Sequence, residues 1–170
     1  LDFPFKTDPR WSVALGAGIT SSNIFLDKTI AEVAGSGTRL NFRNVADTNH
    51  FKKYKLVTAY AEVPLELRYS TNPEKSSGGF KVAVGVKIGT MLSAHTKGKN
   101  LQSKAGSTIN AFTVKESSKR FFNSTRLSST LRVGYGNFSV FGAYQITNLL
   151  KDGAGPVIHP YSIGLTLSGL

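Results

Sequence analysis

The chain has no cysteine, one tryptophan and one methionine among 170 residues. Without cysteine there is no disulfide framework and no thiolate chemistry. No apolar run reaches about 18 residues, which excludes a transmembrane helix. Acidic side chains are scarce as well: 10 Asp/Glu stand against 21 Lys/Arg, for a formal charge of +11. That imbalance points to an anionic partner, either nucleic acid or phosphorylated lipid headgroups. Nothing at the start resembles a signal peptide, and there is no initiator Met, so a leader has been cleaved or the chain is a fragment. The length fits one domain, 1–170.

What is present is alternation. In 57–69 the side chains of Val57, Ala59, Ala61, Val63, Leu65, Leu67 and Tyr69 point one way. Thr58, Tyr60, Glu62, Pro64, Glu66 and Arg68 point the other, because successive strand side chains take opposite faces. From 80 on, Phe80, Val82, Val84, Val86, Ile88, Thr90, Leu92 and Ala94 share a face, and Lys81, Ala83, Gly85, Lys87, Gly89, Met91 and Ser93 share the other. Similar runs occupy 11–22, 125–135, 138–149 and 160–170, and 1–5 reads as the tail of a strand. Several of these exceed the roughly 5–6 residues usual in soluble proteins. They suit a membrane-crossing strand of about 9–11 residues. Barrel strands are only half apolar, so a weak hydropathy signal does not argue against them.

The connections sort by length. Joins at 6–10, 71–79 and 136–137 are short, whereas 26–53, 95–122 and 150–159 read as long loops, with a strand extension near 38–42. An up-and-down barrel in an outer membrane has short periplasmic turns and long external loops. At 136–137, Gly-Asn forms a two-residue hairpin turn in which both residues tolerate positive φ.

Alternation does not say which face is inside, since a soluble lipocalin-like barrel would turn its apolar face inward. Two features decide for the reverse. The polar face is crowded with Gly, Ala, Ser and Thr, which fits the narrow interior of a small barrel. Aromatics of the apolar face gather at the short turns: Phe5, Trp11, Tyr69, Phe80, Tyr135 and Phe138, the positions of a lipid–water girdle. The fold expected is all-β, an antiparallel up-and-down transmembrane barrel. Even strand parity makes it eight-stranded, with N-terminal strand(s) lying before Leu1.

Tyr60-Ala61-Glu62-Val63-Pro64-Leu65-Glu66, then Gly85 with Gly89, Arg132-Val133-Gly134-Tyr135-Gly136-Asn137-Phe138 and Pro160-Tyr161-Ser162-Ile163-Gly164 resemble the PorT-like outer-membrane β-barrel family of Bacteroidota. The resemblance covers about 54–170, with a weaker match over 11–25. The Glu-Val-Pro-Leu element is the specific part; the glycine-aromatic pieces occur in many barrels. The family's naming member is associated with type IX secretion. The resemblance therefore implies an outer-membrane barrel linked to a larger secretion or transport assembly, and it carries no catalytic motif.

Chemistry is expected in three places. Inward charges Glu62, Glu66, Arg68, Lys81, Lys87, Arg126 and Arg132 must pair, because an unpaired buried charge costs several kcal/mol. Glu62 and Glu66 should lie near Lys87, with Arg132 the next candidate. The lumen is expected to be a polar plug rather than an ion path. The long loops carry most of the charge: 26–55 hold six Lys/Arg and three Asp/Glu, and 94–122 hold six and one, together +8 of the +11. Lys52, Lys53, Lys97, Lys99, Lys104, Lys119 and Arg120 form the external basic loops, which either contact lipopolysaccharide phosphates or an acidic partner or are simply solvated. Nucleic acid is disfavoured, because no stacking aromatics interleave with the basic residues.

His50, His95 and His159 fall in or beside long loops, and Ser93 and His95 at i, i+2 can share a face. A nucleophile also needs a base and an orienting acid. Asp47, Glu116 and Asp152 have no diagnostic spacing for that role. No metal motif and no dinucleotide loop is present. The expectation is a non-enzymatic barrel of the bacterial outer membrane, without cofactor or small-molecule substrate. Its partners would be the lipid bilayer, lipopolysaccharide and other outer-membrane proteins. The alternatives are a rim-site enzyme acting on lipid A or phospholipid, and a soluble ligand-binding barrel.

Overall fold

A computed structural model describes residues 1–74 and 78–167. The strands are β1 (Asp2–Pro4), β2 (Trp11–Leu15), β3 (Gly18–Leu26), β4 (Thr29–Glu32), β5 (Asn41–Asn44), β6 (His50–Ser70), β7 (Phe80–Gln102), β8 (Thr108–Ser117), β9 (Thr125–Tyr135), β10 (Phe138–Gln145) and β11 (Tyr161–Leu167). Nine of them form one antiparallel, curled sheet, a half-barrel; β4 and β5 form a small hairpin apart. The order is β1-β2-β6-β7-β9-β10-β11, with β3 continuing the line of β2 along β6 and β8 flanking the far end of β7. The edges are β1 and β11. The strand expected before Leu1 lies outside the described residues, as does part of the turn at 71–79.

β2 and β3 keep one register against β6, with Leu15 opposite Leu65 and Gly18 opposite Glu62. The break between them falls opposite Pro64. Proline has no N–H to give to the ladder, and only the Gly16 N–H reaches across, to Pro64 O at 3.2 Å. The hairpin at 136–137 pairs Tyr135 with Phe138. Positive φ occurs at Gly136 (57°) but not at Asn137. The turn thus follows the pattern with glycine at the first central position, and not the one with both central residues left-handed.

Two sequence expectations need correction. The stretches 26–53 and 95–122 are not simply loops, because they contain the β4–β5 hairpin, the start of β6, the end of β7 and all of β8. Their alternation is masked by irregular pairing. β7 carries an extra residue: Ala59 pairs with Ser93 but Tyr60 with Met91. This bulge at Leu92 reverses the phase of β7. Below it, Met91 and Ala83 are buried on the inner face; above it, Ala94, Thr96 and Gly98 are. Ala94 therefore lies inside, not on the outer face with Leu92.

Outside, the apolar rows form a belt. Val63, Leu65, Val84, Ile88, Leu131, Val140, Ile163 and Leu165 are all exposed, Leu165 by 76%. From Phe80 to Leu92, at about 3.3 Å per residue and a tilt of about 40°, β7 rises about 30 Å. That matches the hydrocarbon thickness of a bilayer.

Candidate functional site

The inner face has two zones. In the zone nearer the short turns, Glu62 is 6% exposed and faces the half-buried Arg126, with Oε1 3.4 Å from Nη1. Thr20 Oγ1 donates to Glu62 Oε2 at 2.6 Å. The Arg126 guanidinium also stands 5.2 Å from the Tyr60 ring centroid, a favourable cation–π position. One layer below, Glu66 accepts from Arg132 and from Arg68, whose Nη2 is 3.0 Å away. Arg68 Nη1 also reaches Asp2 at 3.4 Å.

Lys87 is the exception. Among the described residues it forms no ion pair, although it borders a small cavity of about 140 Å³ with Glu66, Arg132 and Phe141. Register explains this. Lys87 sits opposite Pro64 and Ser128, whereas Gly89 sits between Glu62 and Arg126, and Gly85 between Glu66 and Thr130. Both acids lie over glycines of β7. A Cβ at Gly89 would stand 2.8 Å from Glu62 Cγ, and one at Gly85 2.9 Å from Glu66 Cγ. The missing side chains open lanes through which the carboxylates reach β9. The sequence placed Lys87 as the partner by treating nearest cations as nearest neighbours, without the register. Further toward the short turns the lumen opens into a hollow of about 450 Å³, bordered by Asp2, Arg10, Arg68, Lys81 and Arg132.

The second zone is apolar. At and above the bulge the inner faces of β3, β6 and β7 meet the β4–β5 hairpin and the segments after β8 and β10. Tyr54, Leu56, Tyr60, Met91, Phe121, Phe122, Leu149 and Leu150 form one buried core there. Burial raises the pKa of the Tyr54 hydroxyl, which donates to Ala31 O at 3.0 Å. Asn123 Nδ2 donates to Asn148 O at 2.7 Å and to Leu150 O at 3.1 Å. The Leu40 N–H donates to Ala154 O at 2.7 Å. The long connections thus lock to one another in a packed cap over the mouth. Sequence reasoning missed this cap, because its apolar residues are scattered through polar stretches without a period.

The aromatics expected to form a girdle lie at or near the short turns. Trp11 and Tyr69 are cross-strand partners with ring centroids 5.0 Å apart. Phe80, Tyr135 and Phe138 sit side by side on three strands, and Phe5 is exposed nearby in the chain.

The basic residues separate into groups. Lys104 pairs with Asp47 at 3.0 Å. Arg120 donates to Ser36 O and lies against Phe121. Lys119 and Lys52 are exposed, Lys52 on the inner-face side of β6. Lys53, Lys97 and Lys99 are on the outer wall of the strands. The register sets Lys55 opposite Lys97 and Lys97 opposite Lys115, with Lys53 opposite Lys99 one step on. Lys55 and Lys115 escaped the sequence reading, although the Lys-x-Lys spacings at 53/55 and 97/99 were visible.

Ser93 and His95 share that outer face. His95 pairs with Val57 and Ser117. Glu116, opposite Thr96, belongs to the inner face, and Asp47 is held by Lys104. His50 is buried at the start of β6. His159 stacks on Tyr144 with centroids 5.9 Å apart, its Nδ1 3.1 Å from Gln145 O. Among the described residues no three His, Asp or Glu converge as a metal site.

An antiparallel curled sheet with a lipid-facing belt, an inward ion-pair network and short turns at one end defines an outer-membrane β-barrel. The chain belongs to the family described as outer membrane protein beta-barrel domain, whose profile matches residues 1–150, and its place is the bacterial outer membrane. No curated protein and no solved structure matches it.

Proposed function

We propose that this barrel is a structural or accessory subunit of the outer membrane, a rigid platform for other outer-membrane proteins rather than a pore or an enzyme. One observation carries this reading: the interior is blocked twice, by the Glu62–Arg126 and Glu66–Arg132 pairs and by the packed cap. Paired charges in a narrow lumen hold each other in place, and an eight-stranded barrel has an interior only just wide enough for side chains. Against rim-site catalysis, His95 is faced by lysines and the nearest sequence acid, Glu116, points to the opposite face. A base without an orienting acid is a poor activator of Ser93. The Tyr60–Glu66 element favours the PorT-like branch, and with it a Bacteroidota outer membrane and a secretion or transport assembly as the larger setting.

The test is purification of the full-length protein from outer membranes, after mild cross-linking, together with conductance in planar bilayers. Stoichiometric recovery of another outer-membrane protein, with no stable conductance, is the expected result. Steady single-channel currents would overturn the plugged lumen. A changed lipid A or phospholipid profile in an S93A/H95A strain would point to an enzyme.

A further inference from the structure

The outer wall above the belt holds like charges in contact positions. Lys55, Lys97 and Lys115 stand directly opposite one another on three adjacent strands, with Lys53 and Lys99 as the next pair. Like charges directly opposite on one face of a sheet are destabilising. Among the described residues none of the five forms an ion pair. Lys55 is instead positioned by a 2.7 Å hydrogen bond to Asn23 Oδ1 and by the Phe25 ring, 5.7 Å from its ammonium. The row is thus preset and uncompensated.

Its height is the second observation. Counted along β7, Lys97 lies about 12 Å above Leu92, the last apolar residue of the belt on that strand. The headgroup layer extends several ångströms beyond the hydrocarbon, and lysine stems can lean along apolar surface to place their ammoniums lower. Phe25, 69% exposed on β3, provides an apolar flank beside the row.

We infer that Lys55, Lys97 and Lys115, flanked by Lys53 and Lys99, form a docking site for the phosphorylated headgroup of a glycolipid in the outer leaflet. The phosphates neutralise the lysine row, and the acyl chains lie down the apolar belt below it. One ligand thus satisfies two surfaces that are stacked on the same strands. The site deepens the reading of a barrel that stands in the outer membrane, and it does not depend on the accessory role.

The experiment uses the full-length protein, extracted in neutral detergent and titrated with diphosphorylated lipid A, alongside the dephosphorylated lipid. The variant Lys55→Gln/Lys97→Gln/Lys115→Gln is compared with Lys6→Gln/Lys28→Gln/Lys151→Gln, which removes the same charge elsewhere. Wild type and the second variant should bind alike, and the first should bind roughly 30- to 100-fold more weakly. The dephosphorylated lipid should bind no better to wild type than the phosphorylated one binds to the first variant. Heat-dependent mobility in SDS checks folding in each case. If the triple variant does not fold, Lys97→Gln/Lys115→Gln, which leaves the Lys55–Asn23 contact, replaces it. Undiminished binding by either row variant, equal binding of the dephosphorylated lipid, or full displacement by equimolar inorganic phosphate would overturn the site. Absence of a heat shift in wild type would instead remove the barrel on which it stands.

Discussion

Glu62 Oε1 stands 3.4 Å from Arg126 Nη1 although a whole strand, β7, lies between their backbones. The contact exists because β7 presents Gly89 at the crossing point. Any side chain there would occupy the path, since its Cβ would come within 2.8 Å of Glu62 Cγ and 3.0 Å of Ala61 O.

Gly89→Val should therefore break the pair without touching either charged residue. Removing one partner of a buried pair typically destabilises by about 3–5 kcal/mol. Gly89→Val and Glu62→Ala should both lower the temperature at which the folded band converts to the unfolded one in SDS. The double variant Glu62→Gln/Arg126→Met should lose less than Glu62→Ala, because no charge is left buried alone. Equal losses in all three would show that the pair is not what holds the wall.

The belt gives a depth-dependent prediction. Leu131 and Val84 are cross-strand partners, each 54% exposed on the outer face near mid-belt. An arginine at either site should destabilise insertion into lipid by about 2–4 kcal/mol. The same change at Ala105, exposed in the turn between β7 and β8 above the belt, should be nearly silent. Urea titration of folding into vesicles, followed through Trp11, measures the difference.

His95 reports on the lysine row. Its pKa lies below the ordinary 6.5 because of burial first, and then the charges of Lys115, Lys55 and Lys97. The folded pKa is depressed, so neutral His95 favours the folded state above pH 6.5, and that contribution fades as pH falls through the lowered value. Lipid phosphate over the row should raise the His95 pKa. An NMR titration of the imidazole with and without diphosphorylated lipid A would show the shift, and an unchanged pKa would count against contact.

The cap should come apart separately from the barrel. Phe122 is fully buried there, and Phe→Ala in a packed core costs about 3–5 kcal/mol. Phe122→Ala should open 146–158 and the β4–β5 hairpin to protease while the SDS heat shift persists. Loss of both together would mean that the cap and the wall fold as one unit.

The wall was legible in the sequence because its code is local. Val63, Leu65 and Leu67 against Glu62, Glu66 and Arg68 specify two faces without reference to any other strand. The aromatics Trp11, Tyr69, Phe80 and Tyr135 mark the short-turn ends of their strands. The ion pairs were legible as a set, with Arg132 already a candidate partner, but Arg126 was not picked as the partner of Glu62, since Lys87 and Arg126 look alike until the register decides which acid each one meets. The cap was not legible, because Ala31, Leu40, Phe122 and Leu150 come from four segments whose meeting is purely tertiary.

The extra residue at Leu92 also decides which side chains of β7 face outward on either side of it. Below it the strand shows aliphatic side chains to lipid, and above it the outward positions are Ser93, His95, Lys97 and Lys99. Were β7 to pair without this bulge while keeping every residue, Lys97 and Lys99 would turn into the cap and Ala94, Thr96 and Gly98 outward, with no change in composition. In this chain one backbone insertion marks the waterline.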